Sequence, residues 1–155
     1  MNESLQSIPP RLLLIRGVPG SGKSTMGAAI ADDGSFEHLE TDMFFVWNGQ
    51  YVYEVDKLDM AHDWCKSETK RALEAGKSVV VTNMFLRPED LMPYFEIAKN
   101  VGIKPLIWVA DGGYQNTHGI YPEVVEKMRE AFVGDVDFLF EDFGMSKPKE
   151  SGPKF

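Results

Sequence analysis

The order of apolar and amphipathic segments in this 155-residue chain predicts an α/β fold built on a mainly parallel sheet. Three observations support this prediction. Short apolar runs alternate with segments of helical periodicity. The clearest run, KSVVVTN at 77–83, lacks the alternation of apolar and polar residues that is typical of a strand with one solvent-exposed face. A glycine-rich turn joins the first apolar run to the first predicted helix. No internal repeat or linker interrupts the pattern, so we expect one domain.

The first half of the chain is expected to contain, in order, a strand over 11–16, a helix over 23–31, a strand over 36–40 and a helix over 57–75. The first strand (RLLLIR) is mostly apolar and ends at a glycine, as a buried strand does before a turn. Asp56 is suited to cap the long helix, and Gly76 is suited to stop it.

The second half is expected to contain the strand over 77–83, a helix ending near 100, a strand over 103–110 and a helix over 122–132. If Asp90 lies near the N-cap of the third helix, Pro93 falls in its first turn, where the missing N–H costs little. Pro105 predicts an edge position or a late start for the fourth strand. The inward face of the last helix is expected to comprise Val124, Val125, Met128 and Phe132.

Charge and cysteine content exclude several classes of protein. The net charge of −8 argues against a broad basic surface for duplex nucleic acid, and the single cysteine, Cys65, cannot form an internal disulfide. Residues 1–10 lack the features of a signal peptide, and no apolar run reaches membrane-spanning length. We therefore expect a cytoplasmic protein without a membrane partner. Its domain is expected over 11–142, between an N-terminal extension (1–10) and a flexible C-terminal tail (143–155).

The segment GVPGSGKS, residues 17–24, matches the phosphate-binding pattern G-x-x-x-x-G-K-[ST], with an apolar strand before it and a helix after it. Glycines allow backbone N–H groups to surround phosphates, and the helix directs its positive end at the same anion. Lys23 is expected to reach the β- and γ-phosphates of a nucleoside triphosphate, and Ser24 to ligate Mg²⁺. The residues expected to bind the nucleotide are Gly17, Pro19, Gly20, Ser21, Gly22, Lys23, Ser24 and Thr25.

Asp42 follows the second predicted strand, in HLETDMFF. A carboxylate at this strand end, beside the phosphate loop, is placed to accept the proton of an attacking hydroxyl. Spacing alone leaves a second interpretation equally open, in which Asp42 caps the short segment MFF.

Six blocks, in this order and spacing, resemble the small P-loop kinases related to phage polynucleotide kinase and to the kinase-like domain of NEDD4-binding protein 2: GVPGSGKST, ETDMFF, AHDW, SVVVTNMF, MPYFEIAK and NTHGIYPEVVEKM. The resemblance covers residues 11–132. It implies a P-loop NTPase three-layer sandwich with a short lid segment, ATP and Mg²⁺ as cofactors, and Asp42 as general base. The family often reads Asp-Asp-Tyr where this chain reads Asp42-Met43-Phe44, so only the first carboxylate is kept.

The predicted lid, GGYQNTHGIYPE at 112–123, contains no arginine or lysine. Polynucleotide kinases place arginines there, to neutralise charge on the transferring phosphoryl group. Asn116, His118 and Gly119 match the branch that resembles NEDD4-binding protein 2. His118 and Arg129 are therefore the candidate catalytic residues for stabilising charge. The alternatives are a hydrogen-bonded turn histidine and a solvated helix charge.

The acceptor side is expected to involve Asn83, Arg87 and an aromatic segment. The resemblance places acceptor-contacting polar residues at the end of the third strand, where Asn83 offers both a donor and an acceptor; a turn residue is the alternative. Arg87 is a candidate for binding a substrate phosphate, with a surface role equally open. FFVWNGQYVYEV at 44–55 predicts a hairpin-like or irregular cover, or aromatic rings packed on the next helix. The candidates for stacking on a base are Trp47, Tyr51 and Tyr53.

The leading functional hypothesis is transfer of the γ-phosphoryl group of ATP to a hydroxyl of a nucleic acid or nucleoside. The nucleic acid hydroxyl is either a 5′-end or a hydroxymethylated base in DNA, because phage-borne relatives phosphorylate hydroxymethyluracil within DNA. If the chain is phage-encoded, the compartment is the host cytoplasm. A kinase for a small metabolite and a non-catalytic nucleotide-binding switch remain alternatives, and the sequence leaves the oligomeric state open.

Overall fold

The computed structural model describes residues 8–112 and 120–148. The strands are β1 (Leu12–Arg16), β2 (Phe36–Leu39), β3 (Val46–Trp47), β4 (Gln50–Tyr51), β5 (Ser78–Thr82) and β6 (Leu106–Val109). The helices are α1 (Lys23–Ala31), α2 (Leu58–Glu74), α3 (Pro88–Val101), α4 (Pro122–Ala131) and α5 (Phe138–Asp142), with 3₁₀ turns over Thr41–Phe45 and Val55–Lys57. Within these two described ranges, no helix has the length and apolar character needed to cross a membrane.

Four parallel strands form the main sheet, in the order β2-β5-β1-β6. Every residue of β1 is buried, and β5 is buried from Val79 onward, which explains why both strands read as continuous apolar runs. β6 lies at an edge and begins after Pro105, so both consequences predicted for that proline are confirmed. The predicted α/β fold with a mainly parallel sheet is likewise confirmed.

Helices cover both faces of the sheet, which gives three layers. Successive side chains of a strand point to opposite faces, so β1 and β5 contribute to two clusters. On one face Leu13, Ile15 and Val80 pack with residues of α1. On the other face Leu12, Leu14, Val79 and Val81 pack with residues of α2, α3 and α5. Residues 143–148 follow α5, and two of them, Phe143 and Met145, pack against this second cluster.

The aromatic segment after β2 forms a 3₁₀ turn and then a hairpin, which is one of the two interpretations that the sequence leaves open. The other also holds in part, because the Phe44 ring lies 6.2 Å from that of Trp64 on α2. β3 and β4 pair antiparallel around Asn48 and Gly49. Both turn residues have positive φ, 49° and 76°, which Asn and Gly adopt at the least cost and which matches the twist of a two-residue hairpin. The hairpin stands beside the carboxyl end of β2 and leaves Trp47 74% exposed.

The predicted start of α2 near Lys57 is confirmed, but the predicted cap of α2 and the predicted place of Pro93 in α3 are wrong. α2 is preceded by the 3₁₀ turn Val55–Lys57, so Lys57, not Asp56, occupies the N-cap. α3 begins at Pro88, because proline has the φ of a first helical residue and the Asp90 carboxylate accepts a bond of 3.1 Å from the Arg87 N–H. Pro93 therefore lies inside the helix rather than in its first turn.

The last predicted helix, α4, has no buried residue, contrary to the expected inward face. Val124 is 38% exposed, and Val125, Met128 and Phe132 are only partly covered. Val124 and Met128 line a cavity, so this face of α4 lies over the cavity and does not pack on the core. The 3.6-residue period predicted which residues form the apolar side of α4, but it did not predict that this side borders a cavity.

Arg16, the last residue of β1, is fully buried and bonded to the backbone of two other segments. Its Nη2 donates to the carbonyl oxygens of Phe85 (2.7 Å) and Leu86 (3.3 Å), and its Nη1 donates to that of Gly134 (3.3 Å). The guanidinium carbon lies 4.1 Å from the centre of the Phe132 ring. Burial lowers the pKa of Arg16 to about 10, partly offset by Asp90, so the side chain stays charged at neutral pH.

Replacing Arg16 by methionine is expected to lower the free energy of unfolding by about 3 kcal/mol, because three carbonyl groups lose a charged donor. Urea denaturation measures this change. Arg11→Met is the matched control: this arginine lies one residue before the same strand and is exposed, so we expect a change within about 0.5 kcal/mol. Equal stability of the two variants would contradict the role given to Arg16.

Candidate functional site

The loop between β1 and α1 has the backbone of an anion-binding cradle. Gly20 and Gly22 have φ of 82° and 93°, a region that favours glycine. Gly22 is the N-cap of α1, and no side chain caps the N–H groups of the first turn. A helix start without a side-chain cap, next to a lysine and two hydroxyl residues (Lys23, Ser24 and Thr25), fits a phosphate group.

Gly17 lies close to the backbone of two neighbouring segments. Its N–H donates to the carbonyl of Met84 (3.1 Å), and Gly112 donates to the carbonyl of Ser21 (2.9 Å), so the loop is tied to the segments after β5 and β6. The Ser21 side chain is buried beside Gly17. Ser21 therefore helps to shape the loop through its buried side chain and through its carbonyl, which accepts the bond from Gly112.

Gly17→Ala is expected to distort this loop. The added methyl carbon would lie 2.3 Å from Ser21 Oγ and 2.5 Å from the carbonyl oxygen of Ala110. Overpacking of this kind costs about 1–3 kcal/mol, and we expect weaker ATP binding as well. Calorimetry and chemical denaturation measure the two effects. In the control, Gly134→Ala, no heavy atom lies within 4 Å of the new carbon, so stability and binding should be unchanged.

Glu40, at the end of β2, contacts the phosphate loop and was not identified from the sequence. Its carboxylate accepts hydrogen bonds from Ser24 and Thr82, the latter at 2.8 Å, and lies 3.5 Å from His38 Nε2. Burial alone would raise the pKa of Glu40, but the hydrogen bonds from His38, Ser24 and Thr82 outweigh it and lower the pKa to about 2. Glu40 is therefore ionised at neutral pH.

His38 and Lys23 complete this end of the site. The Thr82 hydroxyl donates to Glu40, so His38 Nε2, 2.6 Å from Thr82 Oγ1, acts as the donor in that pair. Burial lowers the pKa of Lys23, and the carboxylates of Glu40 and Asp42 partly offset this effect. Lys23 thus has two acidic neighbours, which compensate its positive charge within the protein.

Ser24 and Glu40 supply the hard oxygen donors that Mg²⁺ prefers. Among the residues described, no group of three or more His, Cys, Asp and Glu side chains forms a metal cage. A hydroxyl and one carboxylate beside a phosphate cradle fit an ion that takes its remaining ligands from substrate phosphates and water. A sequence signal for Glu40 did exist: it is the first acidic residue after β2, two positions before Asp42.

Glu40→Gln is expected to reduce stability at pH 7 by about 1–3 kcal/mol. The folded-state pKa of Glu40 lies below its ordinary value of 4.5, so the stabilisation is complete above that value and disappears as the pH falls towards 2. Urea denaturation of both proteins between pH 7 and pH 3 should show the difference narrowing below about pH 4.5. A difference that stays constant over this range would contradict the assigned hydrogen bonds.

Asp42 lies in the 3₁₀ turn Thr41–Phe45, half-buried at the end of β2. The turn is held by Asn83, whose Oδ1 accepts a bond of 2.9 Å from the Thr41 N–H. The Tyr51 hydroxyl donates to Asp42 Oδ1 at 3.3 Å. Burial, followed by the charge of Asp42 and this hydrogen bond, raises the pKa of Tyr51 to about 12. The sequence identified Asp42 and the hairpin but not their contact.

A cavity of about 990 Å³ joins the phosphate loop to the residues predicted for the acceptor side. Lys23, Ser24, Glu40 and Asp42 line one end of it. The remaining walls come from the hairpin, α2, the segment after β5, the start of α3, and α4. The structure thus brings three residues of the predicted phosphate loop, Pro19, Lys23 and Ser24, to the same cavity as Asp42.

The other predicted site residues are distributed unevenly. Asn83 and Arg87 line the cavity, although both polar groups of Asn83 also bind protein atoms, Oδ1 the Thr41 N–H and Nδ2 the sulfur of Cys65 (3.8 Å). Trp47 does not line it; Tyr51 and Tyr53 do. The guanidinium of Arg129 bonds to Glu126 at 3.3 Å on the exposed side of α4, away from the cavity lining.

Asn116 and His118 lie outside the described residues, as does most of the predicted lid. His62, on α2, was not among the predicted site residues, yet it lines the cavity with Nδ1 3.2 Å from Thr41 Oγ1. A histidine among apolar residues at helical spacing gives no sequence signal for this position, which depends on how α2 packs against the 3₁₀ turn.

Comparison with known proteins identifies a family and a set of relatives. The sequence profile of a family described as an AAA domain matches residues 12–111. Human NEDD4-binding protein 2 is 32% identical over an alignment of 132 positions, which covers 78% of this chain and 8% of that protein. The chain therefore spans only a small part of this relative's length.

Solved structures share the fold at low sequence identity. A chain of the Pnkp1/Rnl/Hen1 RNA repair complex superposes with a TM-score of 0.62 at 12% identity, covering 99% of this chain and 52% of that one. The APS kinase CysC of Mycobacterium tuberculosis, solved with AMPPNP and APS, has a TM-score of 0.53 at 14% identity, covering 77% and 68%. The fold is thus the P-loop NTPase sandwich found in kinases.

Proposed function

This chain belongs to the AAA-domain family, and we propose that it is a P-loop kinase that transfers the γ-phosphoryl group of ATP, with Mg²⁺, to a hydroxyl group of a nucleic acid or nucleoside. One observation carries the proposal: Asp42 lines the same cavity as Lys23 and Ser24. A protein that only binds a nucleotide has no use for a carboxylate at this position. The RNA repair complex and the APS kinase with similar folds are consistent with phosphoryl transfer.

In the proposed reaction each residue has one task. Lys23 and the cradle N–H groups would bind the phosphates, and Ser24 and Glu40 would hold Mg²⁺, which would supply positive charge beside the phosphate oxygens. Asp42 accepts the proton of the acceptor hydroxyl while that oxygen forms a bond to the γ-phosphorus. The bond between the γ-phosphorus and the bridging oxygen breaks, and ADP leaves with that oxygen. Tyr51 orients Asp42 through its hydrogen bond.

Charge on the transferring group needs a further donor besides Lys23. We propose His118 and Arg129 for this role, as the resemblance suggests. Reaching the cavity would require Arg129 to exchange its exposed Glu126 partner for a phosphate, and an exposed pair of this kind stabilises by only about 0.3–0.5 kcal/mol. Breaking the ion pair between Arg129 and Glu126 therefore costs little free energy.

Two other functions share parts of this site. A small-metabolite kinase would use the same donor residues, and the negative net charge of −8 favours an acceptor with few phosphates. A nucleotide-binding switch would use the cradle without Asp42. Its support is the absence of lysine and arginine from 112–123.

The test uses γ-labelled ATP with 5′-hydroxyl oligonucleotides, hydroxymethyluracil DNA, nucleosides and small alcohols as acceptors. We expect Lys23→Ala to abolish labelling, because the γ-phosphate loses its cation. Asp42→Asn should lower kcat by about 100-fold or more while leaving ATP affinity nearly unchanged, because a base acts only on the acceptor.

Asp32→Asn provides the matched control, because Asp32 is an exposed carboxylate at the far end of α1. It should leave labelling intact. ATP binding without label transfer to any acceptor, together with an Asp42→Asn variant indistinguishable from the parent, would favour the nucleotide-binding switch instead.

A further inference from the structure

The cavity in front of Asp42 has few cations with which to hold a phosphate-rich acceptor. Apart from Lys23 at the donor end, its charged lining includes two basic residues, Lys66 and Arg87. The Nζ of Lys66 already lies 3.2 Å from Asp63 Oδ1. The part of the predicted lid outside the described residues, 113–119, contains no lysine or arginine. Arg87 is thus the one cation of this acceptor lining without an ion pair among the described residues.

Carboxylates outnumber these cations on the acceptor walls. Asp59 and Asp63 stand on one face of α2, and Glu89 and Asp90 stand at the start of α3. The two pairs lie on different elements of the same cavity lining. A strand that enters between α2 and α3 would bring several phosphates past a lining in which these four carboxylates outnumber the two cations, Lys66 and Arg87. It would lack the basic groove that follows a nucleic acid backbone in proteins that bind single strands.

Apolar and aromatic side chains line the rest of the cavity. Tyr51 and Tyr53 present ring planes inclined by 20°, with centroids 6.4 Å apart. Leu58, Met84 and Ile120 add aliphatic surface. A flat ring stacks favourably on tyrosine, and a volume of about 990 Å³ accommodates a nucleoside-sized molecule beside the nucleotide end.

We propose that the acceptor is a single uncharged alcohol that carries a flat ring, of nucleoside size, and not a phosphate-rich strand. This inference rests on the proposed kinase function and narrows its acceptor. The acceptor hydroxyl loses its proton to Asp42 and gains the γ-phosphoryl group of ATP, and ADP is the second product. The uncharged body of the acceptor avoids repulsion from Asp59, Asp63, Glu89 and Asp90, and Tyr51 and Tyr53 contact its ring.

The test compares thymidine with 5′-hydroxyl pentathymidylate, which offers the same terminal nucleoside and adds four phosphodiester charges. With γ-labelled ATP, we expect kcat/KM for thymidine to exceed that for the oligonucleotide by about tenfold or more. Lowering the ionic strength should raise KM for the oligonucleotide, because weaker screening increases its repulsion. If the oligonucleotide bound in a basic groove, lowering the ionic strength would instead lower its KM.

Variants that remove one carboxylate from the cavity lining test whether these charges disfavour the oligonucleotide. Asp59→Asn and Glu89→Gln should each lower the selectivity for thymidine over pentathymidylate by about two- to fivefold, the effect of one partly exposed charge. Glu96→Gln is the matched control: it lies on the exposed side of α3, outside the cavity lining, so the ratio should not change.

The outcomes distinguish an error in the proposed acceptor from an error in the proposed kinase function. Equal or better labelling of the oligonucleotide, with KM falling at low salt, overturns the inference and leaves the kinase function intact. Labelling of glycerol or glucose but not of thymidine overturns the requirement for a flat ring. If no acceptor is labelled while ATP binds, the kinase function itself fails, and the inference fails with it.

Discussion

The buried guanidinium of Arg16 connects the parts of the molecule that must keep a fixed distance from one another. It lies at the end of β1, immediately before Gly17, and bonds to the carbonyls of Phe85, Leu86 and Gly134. Phe85 and Leu86 line the acceptor cavity. The residue that leads into the phosphate loop therefore also holds one acceptor wall. A charged group is stable at this depth only because backbone carbonyls and an aromatic ring surround it.

The donor end shows how paired charges make such a site compatible with folding. Lys23 is partly desolvated, and the nearby carboxylates of Glu40 and Asp42 offset that cost. The two carboxylates differ in their surroundings. Glu40 receives several hydrogen bonds that keep it ionised, whereas Asp42 faces the cavity beside Tyr51. The proposed roles of Glu40 as a metal ligand and of Asp42 as the proton acceptor rest on this difference.

Much of the fold follows from the sequence, because apolar periodicity and glycine positions are local signals. They predicted α1 with its observed bounds of Lys23–Ala31, and Pro105 predicted the edge position of β6. Glu40 was missed although it directly follows β2, because the predicted strand extended to residue 40, whereas the position of His62 depends on how α2 packs. Helix caps were misjudged at Asp56 and Asp90, where turn geometry decided, and the exposure of α4 depends on a cavity that no local pattern reveals.

The most direct test of the central claim, that the phosphate loop and Asp42 form one donor and acceptor site, is a crystal structure with ADP, aluminium fluoride, Mg²⁺ and thymidine. We expect the thymidine hydroxyl to lie within about 3 Å of an Asp42 carboxylate oxygen, with the fluoride group between that hydroxyl and ADP. A thymidine bound elsewhere, or an Asp42 carboxylate turned away from the hydroxyl and bound to another group, would contradict it.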